Sequence, residues 1–471
     1  MELTRYTKSI QSDNTRNVFL LAIVLFGVAI KAKYIFQESL WPDEALYLYI
    51  ARNLSSDLTN LTDITGGVFY QSPPILMYLL SFVQKIQYFN FDQMARVVLV
   101  AMGAGTVLIT YFIGRKLYHP LVGIVAALFL AACPLSNWNG VRILTDIPVV
   151  FFIYLSICML VYERKLAFYI FGICAVLTKY SAFPVLFLPV FMRLKPKSWA
   201  LAYLIGFGTL FIFAISKNIF PKPDGWVGYF YNFINLPNTV HMVKEVEYFL
   251  GYFVIVFVLL GVFFTVREHK YSAIFHWVCI FGICRIFLPW VLFRVSRYSL
   301  PLYPGIYILA SYGIYRIAQN VMTIWPVYSI WVKVFFGVII GNILINHSIK
   351  SLELLDRTST AFTGFDQACE FIMKQPGPYS VATASPNQMK YFAPGFDVYD
   401  IAINVSPEKL RTFFNKERIN FLSIDLWSPH LPSWCKSFDY QKNGFNLIYQ
   451  QNNVYVFKVT LPEQNVIIKH F

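Results

Sequence analysis

Two adjacent carboxylates, Asp43 and Glu44, stand in the segment "LWPDEALYLYI" (residues 40–50), directly after the first long apolar stretch of the chain. A carboxylate can act as a general base that takes the proton of a hydroxyl group. Acidic residues near a helix N-terminus can also simply stabilise the helix, by about 0.3–1 kcal/mol each. The pair therefore indicates either acid–base chemistry or a helix end, and other charged residues must help to decide between the two.

Further charged residues stand at the ends of later apolar stretches. Asp146 lies in "RILTDIPVVFF", Lys179 in "LTKYSAFP", and Arg294 and Arg297 in "LFRVSRYSLPLYP". The acid could cap a helix, and the cations could anchor lipid headgroups. Acids that deprotonate a hydroxyl and cations that hold a phosphate leaving group are together suited to group transfer from a phosphate ester in a membrane.

The composition is that of a protein that crosses a membrane many times. Of the 471 residues, 57% are hydrophobic and only 14% are charged, with a mean hydropathy of +0.53, whereas soluble domains carry about 25% charged residues. Apolar runs of about 18–25 residues, each long enough to cross the hydrocarbon core, recur along most of the chain. We predict a polytopic α-helical protein with about eleven spans. They cover residues 17–36, 93–113, 120–136, 145–161, 166–178, 180–192, 198–216, 246–266, 271–290, 298–316 and 324–346.

The distribution of Lys and Arg predicts the orientation of these spans. The net charge is +14, and compact basic clusters such as Arg115-Lys116, Arg164-Lys165 and 193–197 all fall on one face. Basic loops mark the cytoplasmic face, so the positive charge is explained without a nucleic-acid partner. The N-terminus is then cytoplasmic, and the candidate residues named above lie on the outer face. No cleavable signal peptide is predicted, and the first span is interpreted as a signal anchor.

Two regions on the outer side have predicted structure of their own. The first outer loop, residues 37–92, is expected to carry helices at 43–53 and 72–86 near the membrane surface. Beyond the transmembrane domain, residues 1–347, the composition changes, and residues 348–471 are predicted to form a small α/β domain. Its predicted elements are strands at 378–385 and 419–426, a helix at 406–417 and a hairpin at 446–460. Cys369 and Cys435 in this domain could form a disulfide in an oxidising compartment, or remain free.

The motifs follow one another in a recognisable order: "WPDEALY", "YQSPPILMYLLS", "LTDIPVVFF", "GICAVLTKYSAFPVL" and "RYSLPLYPGIYILA". In this order the chain resembles the GT-C superfamily of polyprenyl-phosphate-sugar-dependent glycosyltransferases, which includes protein O-mannosyltransferases and bacterial lipid A aminoarabinose transferases. The resemblance covers about residues 15–320, and the tail only loosely. It implies a GT-C-like fold and the transfer of a sugar, with inversion, from a polyprenyl or dolichyl phosphate to a hydroxyl of an extracytoplasmic protein, lipid or glycan.

The resemblance also implies roles for the candidate residues. Asp43 is expected to be the general base on the acceptor, with Glu44 as its companion. Asp146 matches the second outer acid, which orients the acceptor or the surroundings of Asp43. Lys179 and Arg297, with Arg294 beside them, are expected near the lipid-linked phosphate. Many members have a basic residue just before the Pro-Pro pair, where this chain has Ser72, and this departure leaves the donor's identity open.

The expected partners are therefore a polyprenyl-phosphate sugar, an extracytoplasmic acceptor and membrane lipids. No cofactor is predicted, although the three acids could in principle share a divalent ion. A transporter or lipid flippase would also explain outer charges as a substrate path, and an inactive relative could serve as a receptor. A prokaryotic plasma membrane suits the charge pattern best, and an endoplasmic reticulum location has the same topology.

Overall fold

The structure, a computed structural model, describes residues 2–36, 39–69, 73–86, 90–194, 198, 236–287, 296–401, 407–428 and 431–459. The chain divides into two compact units. The helical unit comprises residues 1–35, 71–76 and 93–355, and the α/β unit comprises residues 36–70, 77–92 and 356–471. The first outer loop thus largely belongs to the same unit as the C-terminal residues, and the composition boundary at 347 lies inside a continuous helix.

Helices account for most of the described chain. In chain order they are α1 (Glu2–Ile35), α2 (Pro42–Ser56), α3 (Ile75–Gln84), α4 (Phe91–Leu117), α5 (Pro120–Ala132), α6 (Pro134–Gly140), α7 (Asp146–Val161), α8 (Lys165–Val176), α9 (Leu188–Phe191), α10 (Leu236–Arg267), α11 (Ala273–Phe287), α12 (Tyr303–Ile324), α13 (Ser329–Ser359), α14 (Phe365–Met373), α15 (Pro386–Phe392) and α16 (Pro407–Glu417). Short 3-10 helices cover Tyr180–Phe187, Ser296–Leu302, Pro326–Tyr328, Ser433–Lys436 and Gln441–Asn443. The strands are β1 (Ser380–Thr383), β2 (Asp397–Asp400), β3 (Phe421–Asp425), β4 (Phe445–Gln451) and β5 (Val454–Val459).

Four described helical segments are long and apolar enough to cross a membrane: Asn14–Ile35, Phe91–Leu117, Glu247–Arg267 and Pro326–Ser359. The pair α5 and α6, bent by 58° at Cys133, would make a fifth, and Pro134 explains the bend because proline cannot continue a helix ladder. Other apolar helices are shorter, such as α8 with 12 residues. The predicted count of eleven is therefore not confirmed, and the predicted span at 198–216 lies almost wholly outside the described residues.

Close helix contacts in the helical unit depend on small residues. A Cβ atom on Gly261 of α10 would lie 1.9 Å from the carbonyl oxygen of Leu309 in α12, and a Cβ on Gly313 would lie 2.3 Å from that of Phe257. Small residues let helix backbones approach in this way. In the same unit, Ser156 of α7 donates a hydrogen bond of 2.8 Å to the carbonyl oxygen of Phe168 in α8. These contacts hold α10 against α12 and α7 against α8.

The α/β unit contains a five-stranded mixed sheet with the strand order β2-β1-β3-β5-β4. Strand β1 pairs in parallel with both β2 and β3, with Val381 opposite Val398 and Phe421, while β5 is antiparallel to β3 and β4. One face packs against α14 and α15 through Phe365 and Met389, and the other against α16 through Leu410 and Phe414. The small C-terminal α/β domain that the sequence predicts is confirmed, including the hairpin, which turns at Asn452 with a φ of 50°.

The cysteines of this unit are not bridged. Cys369 and Cys435 are both buried free thiols. The Cys369 thiol donates to Met389 Sδ at 3.4 Å in the core beside α14, and Cys435 lies in a 3-10 helix whose neighbours pack on the opposite face of the sheet. Of the two alternatives that the sequence leaves open, the structure has the free thiols, because the sheet separates the two side chains.

Candidate functional site

A buried carboxylate and two cations meet in the helical unit. Lys179 Nζ lies 2.7 Å from Asp146 Oδ1, and Arg297 Nε lies 3.9 Å from Asp146 Oδ2. The Asp146 side chain is only 3% exposed, whereas those of Lys179 and Arg297 are about one-fifth exposed. Lys179 follows Asp146 by 33 positions, and Arg297 follows Lys179 by more than 100. The sequence singles out each residue separately, and the structure brings them into one cluster, which we call the Asp146 cluster.

Asp146 is the first residue of α7, and this position suits a carboxylate. The positive end of the helix dipole stabilises a negative charge in the first turn. Thr145, which precedes it, makes no side-chain capping bond. Thr145 is therefore not a side-chain cap of α7. The Asp146 carboxylate instead faces the two cations.

Lys179 is held by the turn that follows α8. Its backbone N–H donates to the carbonyl oxygen of Ala175 at 2.9 Å, and its own carbonyl accepts from Ala182 N at 3.0 Å. Its ammonium also lies 4.2 Å from the ring centroid of Tyr298. The lysine therefore has an ion pair on one side and an aromatic face on the other, which restricts its rotamers.

Arg297 stands on the short 3-10 helix Ser296–Leu302, and two side chains fix that helix. The carbonyl oxygen of Pro301 accepts hydrogen bonds from Tyr154 Oη at 3.0 Å and from Trp277 Nε1 at 2.9 Å. Tyr154 Oη in turn accepts from Gly305 N at 2.8 Å. Because Tyr154 belongs to α7, the helix that begins with Asp146 also braces the segment that carries Arg297.

Sequence reasoning missed Tyr298, Tyr154 and Trp277 as parts of this site. Tyr298 is adjacent to Arg297, and its ring lies under both cations, with the Arg297 guanidinium carbon at 5.6 Å from its centroid. Aromatic residues are common in apolar spans, so their types gave no signal. Only the position of Tyr298 next to a predicted cation could have indicated it.

The charge balance of the Asp146 cluster favours an anion. One carboxylate and two cations give a formal net charge of +1. In a poorly solvated position a charge is stabilised by a counter-charge and by hydrogen bonds. Ammonium and guanidinium groups are the usual ligands of phosphate oxygens. The cluster can therefore hold an oxyanion, and it can stabilise one that gains charge during a reaction.

The acid pair lies on α2, in the α/β unit. Glu44 is fully buried, and its Oε2 accepts a hydrogen bond of 2.7 Å from the backbone N–H of Trp41, so it caps the helix. Pro42 occupies the first helical position, which suits its fixed φ. Asp43 is half-buried in the first turn. The two acids therefore differ in environment, since Glu44 is committed to the helix end and Asp43 reaches the surface.

Other buried cations were not singled out from the sequence. Lys31, Arg96 and Arg142 are all buried in the helical unit. Lys31 Nζ donates to Asn137 Oδ1 at 2.9 Å, and the Arg142 guanidinium carbon lies 4.3 Å from the ring centroid of Trp138. A charge inside an apolar stretch is itself a signal of function. Lys31, inside the first predicted span, carried this signal in the sequence.

Arg294, the other cation that the sequence predicts at the site, lies outside the described residues. Within the described part of the chain, no three His, Cys, Asp or Glu side chains are grouped to hold a metal ion. An open cleft of about 380 Å³ in the α/β unit contains none of the predicted site residues, being lined by Arg52, Asn90, Phe91, Asp92, Tyr391 and Phe392.

Solved structures share this fold over nearly the whole chain. A crystal structure of ArnT from Cupriavidus metallidurans bound to undecaprenyl phosphate aligns with a TM-score of 0.60 at 13% identity, covering 93% of this chain and 97% of that one. The archaeal oligosaccharyltransferase AglB from Archaeoglobus fulgidus, in complex with an inhibitory peptide and a dolichol-phosphate, aligns with a TM-score of 0.62 at 11% identity, covering 96% and 75%. A structure of the Archaeoglobus fulgidus oligosaccharyltransferase with Zn and sulfate aligns with a TM-score of 0.59 at 12% identity, covering 86% and 68%. No protein-family profile and no curated protein sequence matches the chain.

These likenesses show the fold. They confirm the fold that the sequence predicts, a polytopic helical architecture with a small C-terminal sheet domain, which this chain shares with ArnT and AglB. At identities of 11–13% they carry no assignment of individual residues. The roles of Asp43, Glu44, Asp146, Lys179, Arg294 and Arg297 remain predictions.

Proposed function

We propose that the protein is an integral-membrane glycosyltransferase that moves a sugar from a polyprenyl or dolichyl phosphate to a hydroxyl group of an extracytoplasmic acceptor. The observation that supports it best is the Asp146 cluster, a built site for an oxyanion with two cations on one buried carboxylate. The fold supports the same conclusion, because one structure that shares it holds undecaprenyl phosphate and another holds a dolichol-phosphate.

The proposed reaction is a single displacement at the anomeric carbon of the sugar. Asp43 takes the proton of the acceptor hydroxyl, and the acceptor oxygen forms the new bond to the anomeric carbon. The bond from that carbon to the phosphate oxygen breaks, and its electron pair leaves with the lipid phosphate. Lys179 and Arg297 stabilise the additional negative charge on that phosphate, as cations aimed at a developing charge do.

Asp146 has a supporting part in this proposal. With Lys179 at 2.7 Å and Arg297 within 3.9 Å, its carboxylate fixes both cations before the donor arrives. Preorganised charges need no rearrangement at the moment of reaction, which is the source of their catalytic effect. Glu44 supports Asp43 in a different way, because its bond to Trp41 N secures the first turn of α2. The protein acts in the plasma membrane of a prokaryote, with its N-terminus in the cytoplasm and its C-terminal domain outside.

The test is mass spectrometry of cell-surface glycans, glycolipids and glycoproteins in a deletion strain. We expect the strain complemented with Asp43→Asn to lack one defined sugar, as the deletion strain does, and the strain complemented with Lys179→Met to carry less of the same sugar. Asp439→Asn serves as the control, because Asp439 is an exposed acid of the α/β unit whose carboxylate contacts Lys442 alone among the described residues. The missing sugar would identify the donor and the acceptor together. A full glycan profile with Asp43→Asn at matched expression would contradict the base assignment, and a full profile in the deletion strain would contradict the function.

A further inference from the structure

One short helix of the C-terminal domain, α15, contacts both ends of the first outer loop within the α/β unit. At the start of the loop, Gln388 Nε2 donates to the carbonyl oxygen of Leu40 at 2.9 Å. At its end, Tyr391 Oη donates to Asp92 Oδ1 at 2.5 Å. Gln388 and Tyr391 are three positions apart on α15 and therefore lie on the same face of the helix. A single helix face thus holds the two points between which the loop runs.

The contact at the start of the loop lies directly before the acid pair. Leu40 and Gln388 are both buried. The next residue, Trp41, donates its N–H to Glu44, and its ring packs edge-on against Phe362 with 5.3 Å between the ring centroids. The chain that leads into Asp43 is therefore held by two C-terminal residues as well as by the helix cap.

Gln388 makes this bond at a cost. Its other amide atom, Oε1, is buried and has no hydrogen-bond partner among the described residues. A buried polar atom without a partner lowers stability, so the bond to the Leu40 carbonyl offsets a cost that the amide brings to this position. The Leu40 contact is the interaction that the amide provides and a hydrocarbon would not.

The contact at the far end uses an aromatic ring as well as a hydroxyl. The Arg52 guanidinium carbon lies 4.5 Å from the ring centroid of Tyr391, and Arg52 Nη1 approaches the Tyr391 carbonyl oxygen at 3.4 Å. Burial raises the pKa of the Tyr391 hydroxyl well above its usual range, so the hydroxyl stays protonated and donates to Asp92. Helix α2 is thereby also held by α15 in its C-terminal half, through Arg52.

We infer that the C-terminal domain positions Asp43 for catalysis, with Gln388 as the principal positioning residue. The inference rests on the proposed role of Asp43 as the base. Asp43 follows Leu40 by three residues, and Pro42 between them has a fixed φ, so a shift of the Leu40 carbonyl is transmitted to the carboxylate. A misplacement of about 1 Å can cost on the order of 100-fold in rate. Gln388 therefore sets the rate of the reaction without touching either substrate.

The experiment compares Gln388→Met with Lys390→Met in the full-length protein in lipid nanodiscs. Lys390 is the matched control, because it lies on the same helix and donates to the carbonyl oxygen of Phe396 inside the C-terminal domain. The first measurement is hydrogen exchange of the segment 39–48, which needs no substrate. The second is sugar transfer with the total cell extract of the deletion strain, which retains the unused donor together with a protein, lipid or glycan acceptor.

We expect Gln388→Met to speed exchange in segment 39–48 at least tenfold and to lower kcat about tenfold or more, with the apparent KM for the extract within twofold of wild type. Lys390→Met is expected to change neither. Unchanged exchange in Gln388→Met would overturn the inference. Faster exchange with unchanged kcat would also overturn it, since the contact would then serve stability only. Should Gln388→Met fail to fold, Tyr391→Phe takes its place. This variant removes only the hydroxyl that donates to Asp92, and its exchange and kcat are compared with those of Lys390→Met in the same way.

A conservative variant separates positioning from folding. In Gln388→Glu, a protonated side chain can still donate to the Leu40 carbonyl and an ionised one cannot. We expect its kcat, relative to wild type at each pH, to recover as the pH falls, and a constant ratio would contradict the inference. The proposed function has a separate test. Full activity of Asp43→Asn would show that Asp43 is not the base, and the exchange result for Gln388→Met would still stand.

Discussion

Lys179→Met tests the Asp146 cluster directly, because methionine keeps an unbranched side chain and removes the charge. The ammonium lies 2.7 Å from Asp146 Oδ1, and the Lys179 side chain is about one-fifth exposed, so a ligand can reach the lysine while it stays on its carboxylate. A hydrogen bond to a charged group contributes about 1.5–3 kcal/mol. If Lys179 stabilises the departing phosphate, its loss lowers kcat/KM by about 10- to 150-fold, at about 1.36 kcal/mol for each factor of ten.

The same substitution has a separate effect on stability. It leaves the Asp146 carboxylate, 3% exposed, with Arg297 at 3.9 Å as its remaining ion-pair partner in the described part of the chain. Removing one partner of a buried pair costs about 3–5 kcal/mol, and we expect the lower end of that range because the lysine is partly solvated. The double variant Asp146→Asn/Lys179→Met removes both charges. It should regain most of the lost stability and none of the lost activity.

Two measurements on the full-length protein in nanodiscs check this reasoning. Thermal unfolding followed by intrinsic fluorescence reports stability, and initial rates with the total cell extract of the deletion strain report kcat/KM. Lys442→Met is the control, because Lys442 is 85% exposed and pairs with an exposed acid. The reasoning is refuted if Lys179→Met retains at least half of the wild-type kcat/KM, or if the double variant recovers activity together with stability.

Three further predictions concern other groups. Glu44→Ala should lower stability by about 0.5–2 kcal/mol, as the loss of a helix cap does. Glu44→Gln keeps an acceptor for Trp41 N and should cost less, so equal thermal midpoints for the two variants would contradict the capping role. Burial raises the pKa of Asp425 to about 7 from its ordinary value of 3.8, so its contribution to stability is fully present below about pH 3.8 and is lost as the pH rises through about 7. Asp425→Asn should therefore unfold at a higher temperature than wild type above pH 7, and parallel pH curves for the two proteins would argue against it. Chelation with EDTA should leave transfer unchanged, because the two cations at Asp146 repel a divalent ion; a loss of activity that Mg²⁺ or Mn²⁺ restores would count against this expectation.

The sequence predicted the members of the Asp146 cluster because each is a charge at the end of an apolar stretch. Such a charge stands out against its surroundings, and its cost in a membrane gives a physical reason to expect a partner. Tyr154 and Trp277 carry the geometry of the cluster through Pro301. They have no such contrast with their neighbours, so no sequence pattern marked them.

Other features were beyond sequence reasoning for different reasons. The number of spans was uncertain because apolar helices such as α8, with 12 residues, match a membrane span in hydropathy and not in length. Strand β2 has the sequence "DVYD", whose acidic ends do not suit a strand pattern. The grouping of the first outer loop with the C-terminal residues depends on hydrogen bonds between groups about 300 or more positions apart, and no local periodicity encodes these.

The bond between Leu40 and Gln388 joins residues 348 positions apart, and this separation becomes a waiting time during synthesis. A ribosome adds about 5–20 residues per second, so α2 emerges about 17–70 s before α15 exists. Throughout that interval the buried side of α2, including Leu48 and Leu54, has no C-terminal partner to cover it. Helix α2, which carries Asp43 and Glu44, therefore lacks its C-terminal partner through most of translation. A chain that stops before α15 would never complete the α/β unit.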